Sequence, residues 1–120
     1  MKALLLVGVL AVAPIAARAE HVKAPDAPAF MTGAKLWQLC TDPQSNLQAC
    51  MGFVTGIADT MSTEEVRGFS ACLPANVTVA MATARVTIHL GGHSLRELSS
   101  IAAVPYVAEA LSLAYPCKRT

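Results

Sequence analysis

LQACMGFVTGIADTM, residues 47–61, is the stretch on which the fold turns. Leu47, Cys50, Met51, Val54, Ile57, Ala58 and Met61 recur at steps of three and four. That period places side chains on one face of an α-helix, which must then be buried against other elements. Gly52 and Gly56 stand four apart beside Thr55 and Asp59. A glycine in a helix interior costs about 1 kcal/mol relative to alanine, so the pair predicts that another backbone approaches there.

Helical patterns continue on both sides. Upstream, Thr32 is placed to cap a short helix running to Cys40, with Ala34, Leu36 and Trp37 on its apolar face. Asp42-Pro43 and Ser45-Asn46 are turn signals between the two helices. Downstream, Thr60–Ser70 is polar and reads as an exposed loop with one helical turn, Ser62 or Thr63 capping before Glu64-Glu65. Thr78 then caps a third helix through Leu90, for which Val77, Met81, Ala84 and Ile88 are the expected core residues. Its β-branched Val79, Val86, Thr87 and Ile88 make a strand the competing reading, but the length and the alanines favour a helix. Gly91-Gly92 ends it. Ser94-Leu-Arg-Glu97 is a capping box that opens a short helix toward Ala103. Pro105 clashes with a helical carbonyl at Ile101, so a break is expected there. A last helix runs to Tyr115, with Val107, Ala110, Leu111 and Ala114 inward, and Pro116 stops it. The fold class is therefore all-α, a small bundle of about four to five helices.

The chain holds four cysteines, Cys40, Cys50, Cys72 and Cys117, which allow three pairings. If the first two helices form an antiparallel hairpin, Cys40 and Cys50 meet at its closed end. Cys72 precedes the third helix and Cys117 follows the last. An antiparallel pair of helices about 20 Å long brings those two ends together. The expected disulfides are Cys40–Cys50 and Cys72–Cys117. The loop-entropy model assigns them about 3 and about 4 kcal/mol, a large share of the stability of so small a domain.

Such staples belong in an oxidising compartment, and the N-terminus agrees. Lys2 precedes an apolar run from Ala3 to Ala13, and Ala17-Arg-Ala19 offers small residues at a cleavage site. Residues 1–19 read as a signal peptide cut after Ala19, residues 20–29 as a flexible lead-in, and residues 30–120 as the helical domain. No later segment reads as a membrane anchor, and periplasmic export is the expectation. Lys2 and Arg18 leave with the signal, so seven basic residues face eight acidic ones, a mature net charge of −1. A near-neutral chain without a basic patch has no footprint for nucleic acid.

The residues offer little chemistry. His89, His93 and Glu97 have the spacing of a zinc-binding helix face, but Gly91-Gly92 interrupts the segment that must stay helical. His89 is better read as a helix-terminal cation and His93 as a loop residue. A cysteine nucleophile needs a free thiol, and all four read as staples. Glu64-Glu65 are adjacent on a loop and do not face one substrate. Asn76-Val-Thr78 fits a glycosylation acceptor, yet Thr78 is better used as a cap. No catalytic, cofactor or metal site is assigned. What remains is a binding module presenting two loops. One follows Met61 and carries Ser62, Glu64, Glu65 and Arg67; the other carries Gly91, Gly92, His93, Ser94 and Arg96.

Four ordered motifs resemble a known family: Thr32-Gly33-x-x-Leu36-x-x-x-Cys40, Cys50-Met51-Gly52-Phe53-x-x-Gly56-Ile57-x-Asp59, Cys72-x-Pro74-x-x-Val77-Thr78 and Ala110-Leu111-x-x-Ala114-Tyr115-Pro116-Cys117. With the cysteines in place, from about Phe30 to Cys117, the chain resembles the Rap/Tai family. These are periplasmic immunity proteins that neutralise peptidoglycan-amidase toxins delivered by type VI secretion. The resemblance implies an all-helical, disulfide-stapled, homodimeric inhibitor that is not an enzyme and pushes a protruding loop into the toxin's active-site cleft. Met81 stands where the pattern leads one to expect a polar residue, and His93-Ser94 replaces an expected His-Pro. The alternative is a periplasmic chaperone or stress-related binding protein without a toxin partner.

Overall fold

A computed structural model describes residues 8–11 and 29–118. The expected signal cleavage site and nearly all of the lead-in lie outside the described residues. Within them the chain forms five helices: α1 (Gly33–Thr41), α2 (Leu47–Met61), α3 (Val79–Gly91), α4 (Leu95–Ser100) and α5 (Ala103–Ala114). Residues 47–61 are helical from end to end, as their period predicts. The expected third element is a helix, not a strand.

Short polar side chains start four of the helices. Thr32, Asn46, Thr78 and Ser94 accept from the backbone N–H three residues on, at 3.1, 3.3, 3.2 and 3.2 Å, each satisfying a donor that the first turn leaves free. Asn46, expected only as a turn residue, proves to be a cap. α5 has no side-chain cap. Its third residue is Pro105, in the first turn, where a missing N–H leaves no bond unmade. The break predicted by that proline falls just before α5, where Ile101 and Ala102 are extended. This break is tied to the entry of α1: Gly33 N–H donates to Ile101 O at 3.0 Å and Ala103 N–H to Met31 O at 2.9 Å. The approach is so close that a Cβ on Gly33 would lie 2.9 Å from Leu98 Cδ2 and 3.2 Å from Leu98 O.

The fully buried side chains Leu36, Val54, Val86, Leu90, Leu98, Val107 and Leu111 come from all five helices and form one core. The two disulfides join Cys40 to Cys50 and Cys72 to Cys117, with Cα atoms 5.2 and 4.9 Å apart. The second is reinforced by Cys72 N–H donating to Tyr115 O at 2.8 Å.

Several expectations need correction. α3 buries Ala82, Val86, Leu90 and Thr83, while Met81, Ala84 and Ile88 face out. The helix is apolar on most sides, so period alone allowed two stripes, and Thr83 hides its polarity by donating to Val79 O at 2.7 Å. No backbone approaches Gly52 or Gly56; both are exposed with nothing within 4 Å of an added Cβ. Leu47, at the first position of α2, is half exposed. The helical turn expected in the loop after α2 is the fraying end of α2 and not a separately capped one. Ser62 is still helical in its backbone angles and Glu64 N–H donates to Thr60 O at 3.1 Å, while the Ser62 and Thr63 hydroxyls donate back to the carbonyls of Asp59 and Thr60. Gly91 and Gly92 do end α3, but neither has a positive φ. At Gly91 the reason is space, since a Cβ there would sit 3.1 Å from the Trp37 ring.

Candidate partner-binding surface

The two candidate loops lie at opposite ends of α3. The first leaves the C-terminus of α2, whose Ala58 and Asp59 line a small cavity together with Thr78 and Val79 at the start of α3. The second follows the far end of α3, which spans 13 residues, about 20 Å. They do not form one compact epitope.

The first loop is a two-residue hairpin. Val66 N–H donates to Phe69 O and Phe69 N–H to Val66 O, both at 3.0 Å. Arg67 and Gly68 between them have φ of 54° and 82°, positive at both central positions as in a type I′ turn. Val66 and Phe69 pack against the core, while Ser62, Glu64, Glu65 and Arg67 are exposed. The hairpin tip is thus held by its base. The sequence reading missed it because Arg-Gly is not the Asn-Gly or Asp-Gly pair that marks such turns.

The second loop is bound into the fold. Ser94 caps α4, and Gly91 makes room for Trp37. His93 Nδ1 lies 3.2 Å from Glu97 Oε1, which also accepts from Tyr106 Oη at 3.4 Å. The His93 ring meets those of His89 and Tyr106 edge-on, at centroid distances of 5.2 and 4.8 Å. His89 Nε2 faces Glu109 Oε2 at 3.4 Å. Burial, and then the neighbouring Glu97 carboxylate, push the Tyr106 phenol above its ordinary range. The helical spacing pointed to His89, His93 and Glu97, but Tyr106 and Glu109 join them only through the packing of α5. The cluster clasps the end of α3 to α4 and α5. Among the described residues no three His, Cys, Asp or Glu side chains converge as a metal site, and all four cysteines are paired.

A third surface was not foreseen. Ala84 and Ile88 of α3 line a groove of ≈ 390 Å³ together with Leu47, Met51, Ala80 and Thr87 among others, and Met81 is exposed on the same helix. Ile88 is 71% exposed. Leu113 of α5 extends the apolar area past Arg85 and Ile88. No helix among the described residues is long and apolar enough to cross a membrane.

No curated protein and no solved structure matches the chain. A family model described as Rap1a immunity proteins matches residues 32–117, from the cap of α1 to the last cysteine. That span holds all five helices, both disulfides and both loops, and the chain therefore belongs to the Rap1a family of immunity proteins, whose partner is a toxin.

Proposed function

We propose that this protein is exported to the periplasm and there binds and occludes a peptidoglycan-amidase toxin delivered by type VI secretion. The observation that carries the reading is the family match over residues 32–117. The structure is consistent with a binder: a stapled core, paired thiols and a loop held rigid at its base. The amidase target and the delivery route rest on the resemblance of the ordered cysteine, glycine and proline motifs. Residues 30–120 act as the inhibitory domain, and the protein works as a homodimer. The uncovered stripe Met81–Ala84–Ile88 supports the dimer, since an exposed apolar patch of this kind is ordinarily covered by a partner.

The test is co-expression in the periplasm with a peptidoglycan-amidase toxin of the type VI secretion class. Cells carrying both should survive where cells carrying the toxin alone lyse. Equal lysis in the two cultures would overturn the reading for that toxin. The same apolar stripe is what a chaperone would use on unfolded clients, so that second reading predicts suppression of aggregation by the wild type and its loss in Ile88→Glu.

A further inference from the structure

We propose that Arg67 is the residue through which the hairpin reads its partner, and that it fits a carboxylate-bearing recess on a protein surface. The inference rests on the immunity reading above and deepens it.

Arg67 is the only non-glycine residue with positive φ among the described residues. Side chains disfavour that region because Cβ crowds the backbone, and residues held there without a structural reason cluster at functional sites. The two-residue turn accounts for the positive φ but not for an arginine at that position. Glycine, asparagine or aspartate would make the same turn with less strain. The arginine side chain is exposed and has no carboxylate partner among the described residues, although Glu64 and Glu65 are close in sequence. Meanwhile the paired hydrogen bonds of Val66 and Phe69, and their packing on the core, keep the tip in one shape. The guanidinium is thus projected by a preformed turn. That lowers the ordering cost of binding, which is the usual way an anchor residue gains affinity.

The charge pattern selects the partner. A guanidinium offers a planar fork of donors that matches a carboxylate at two points. The hairpin from Ser62 to Phe69 carries two glutamates and one arginine, so an extended polyanion such as nucleic acid or an anionic lipid surface is repelled. A protein recess with one carboxylate, rimmed by donors for Glu64 and Glu65, satisfies all three. The Gly91–Arg96 loop is the weaker candidate, because Gly91, His93 and Ser94 already serve packing, the His–Glu–Tyr cluster and the α4 cap.

The experiment is titration calorimetry of a purified peptidoglycan-amidase toxin of the type VI secretion class, the one used in the co-expression test, against the wild type, Arg67→Gly and Arg67→Lys, with thermal melts of each. Arg67→Gly should melt no lower than the wild type, because glycine suits positive φ, yet bind roughly 30-fold or more weakly. Arg67→Lys should fall between, keeping the charge but losing the fork. Wild-type binding with Arg67→Gly within about threefold of it overturns the role of Arg67 while leaving the immunity reading intact. A wild type that does not bind the toxin overturns both.

Discussion

Gly33 and Gly52 are both helical glycines, yet their surroundings are opposite. A Cβ on Gly33 would press against the Leu98 backbone, and the paired bonds between Met31–Gly33 and Ile101–Ala103 prevent the two segments from parting. Overpacking of this kind costs about 1–3 kcal/mol, offset in part by the better helix propensity of alanine. Gly33→Ala should therefore lose about 1–2 kcal/mol, roughly 5–10 °C in melting temperature for a domain of this size. At Gly52 an added methyl meets nothing within 4 Å, so Gly52→Ala should gain up to about 1 kcal/mol from propensity alone. Thermal melts of the two variants check both signs. A stabilised Gly33→Ala would contradict the close packing of α1 on α4. The sequence shows a glycine in each case but not which one is crowded, because the crowding atom on Leu98 is 65 residues away. For Gly52 and Gly56 the fold of one chain offers no packing reason.

At the scale of elements, what is legible is what local chemistry controls. Thr32, Thr78 and Ser94 announce helix starts because a short oxygen-bearing side chain can satisfy the N–H three residues on. Pro105 announces a break because it cannot accept the preceding helical path. The face that α3 buries is not local information; it is decided by where α2 and α5 lie. The same holds for the cluster of His89, His93 and Glu97 with Tyr106 and Glu109, half of which follows from spacing and half from packing. The disulfide pairing was legible because helix ends constrain which cysteines can meet. The two bonds differ in access, however. Cys50 is fully buried, whereas Cys72 is exposed, and attack by an external thiolate depends on access. Under limiting reductant, Cys72–Cys117 should open before Cys40–Cys50. Alkylation and peptide mass mapping at partial reduction would show labelled Cys72 and Cys117 first. Losing that 45-residue closure should remove about 4 kcal/mol. Labelling of Cys40 and Cys50 first would contradict the order.

For the whole molecule, the question is what covers the outer stripe of α3. Helical periodicity marks Met81, Ala84 and Ile88 as a face to be buried, yet one chain leaves Met81 and Ile88 at 47% and 71% exposure. The spacing itself suggests the occupant. Large, small and large residues at steps of three and four fit an antiparallel copy of the same stripe, with Ala84 at the crossing and Ile88 of one chain beside Met81 of the other. An isologous two-fold contact has this self-complementarity. Leu47, Met51 and Leu113 then widen the contact, and Arg85 can lay its aliphatic stem along it while its charge reaches the rim. Sedimentation should find the wild type dimeric and Ile88→Glu monomeric with unchanged helical circular dichroism, because Ile88 makes no part of the single-chain core. The hairpin tip at Arg67 lies near the opposite end of α2 from Leu47, so Ile88→Glu should leave each chain able to bind toxin. A monomeric wild type would remove the dimer and return the stripe to the chaperone reading, whose mark is aggregation suppression that Ile88→Glu abolishes. A dimeric wild type closes that surface to clients and leaves the two hairpins, one per chain, as the exposed binding elements.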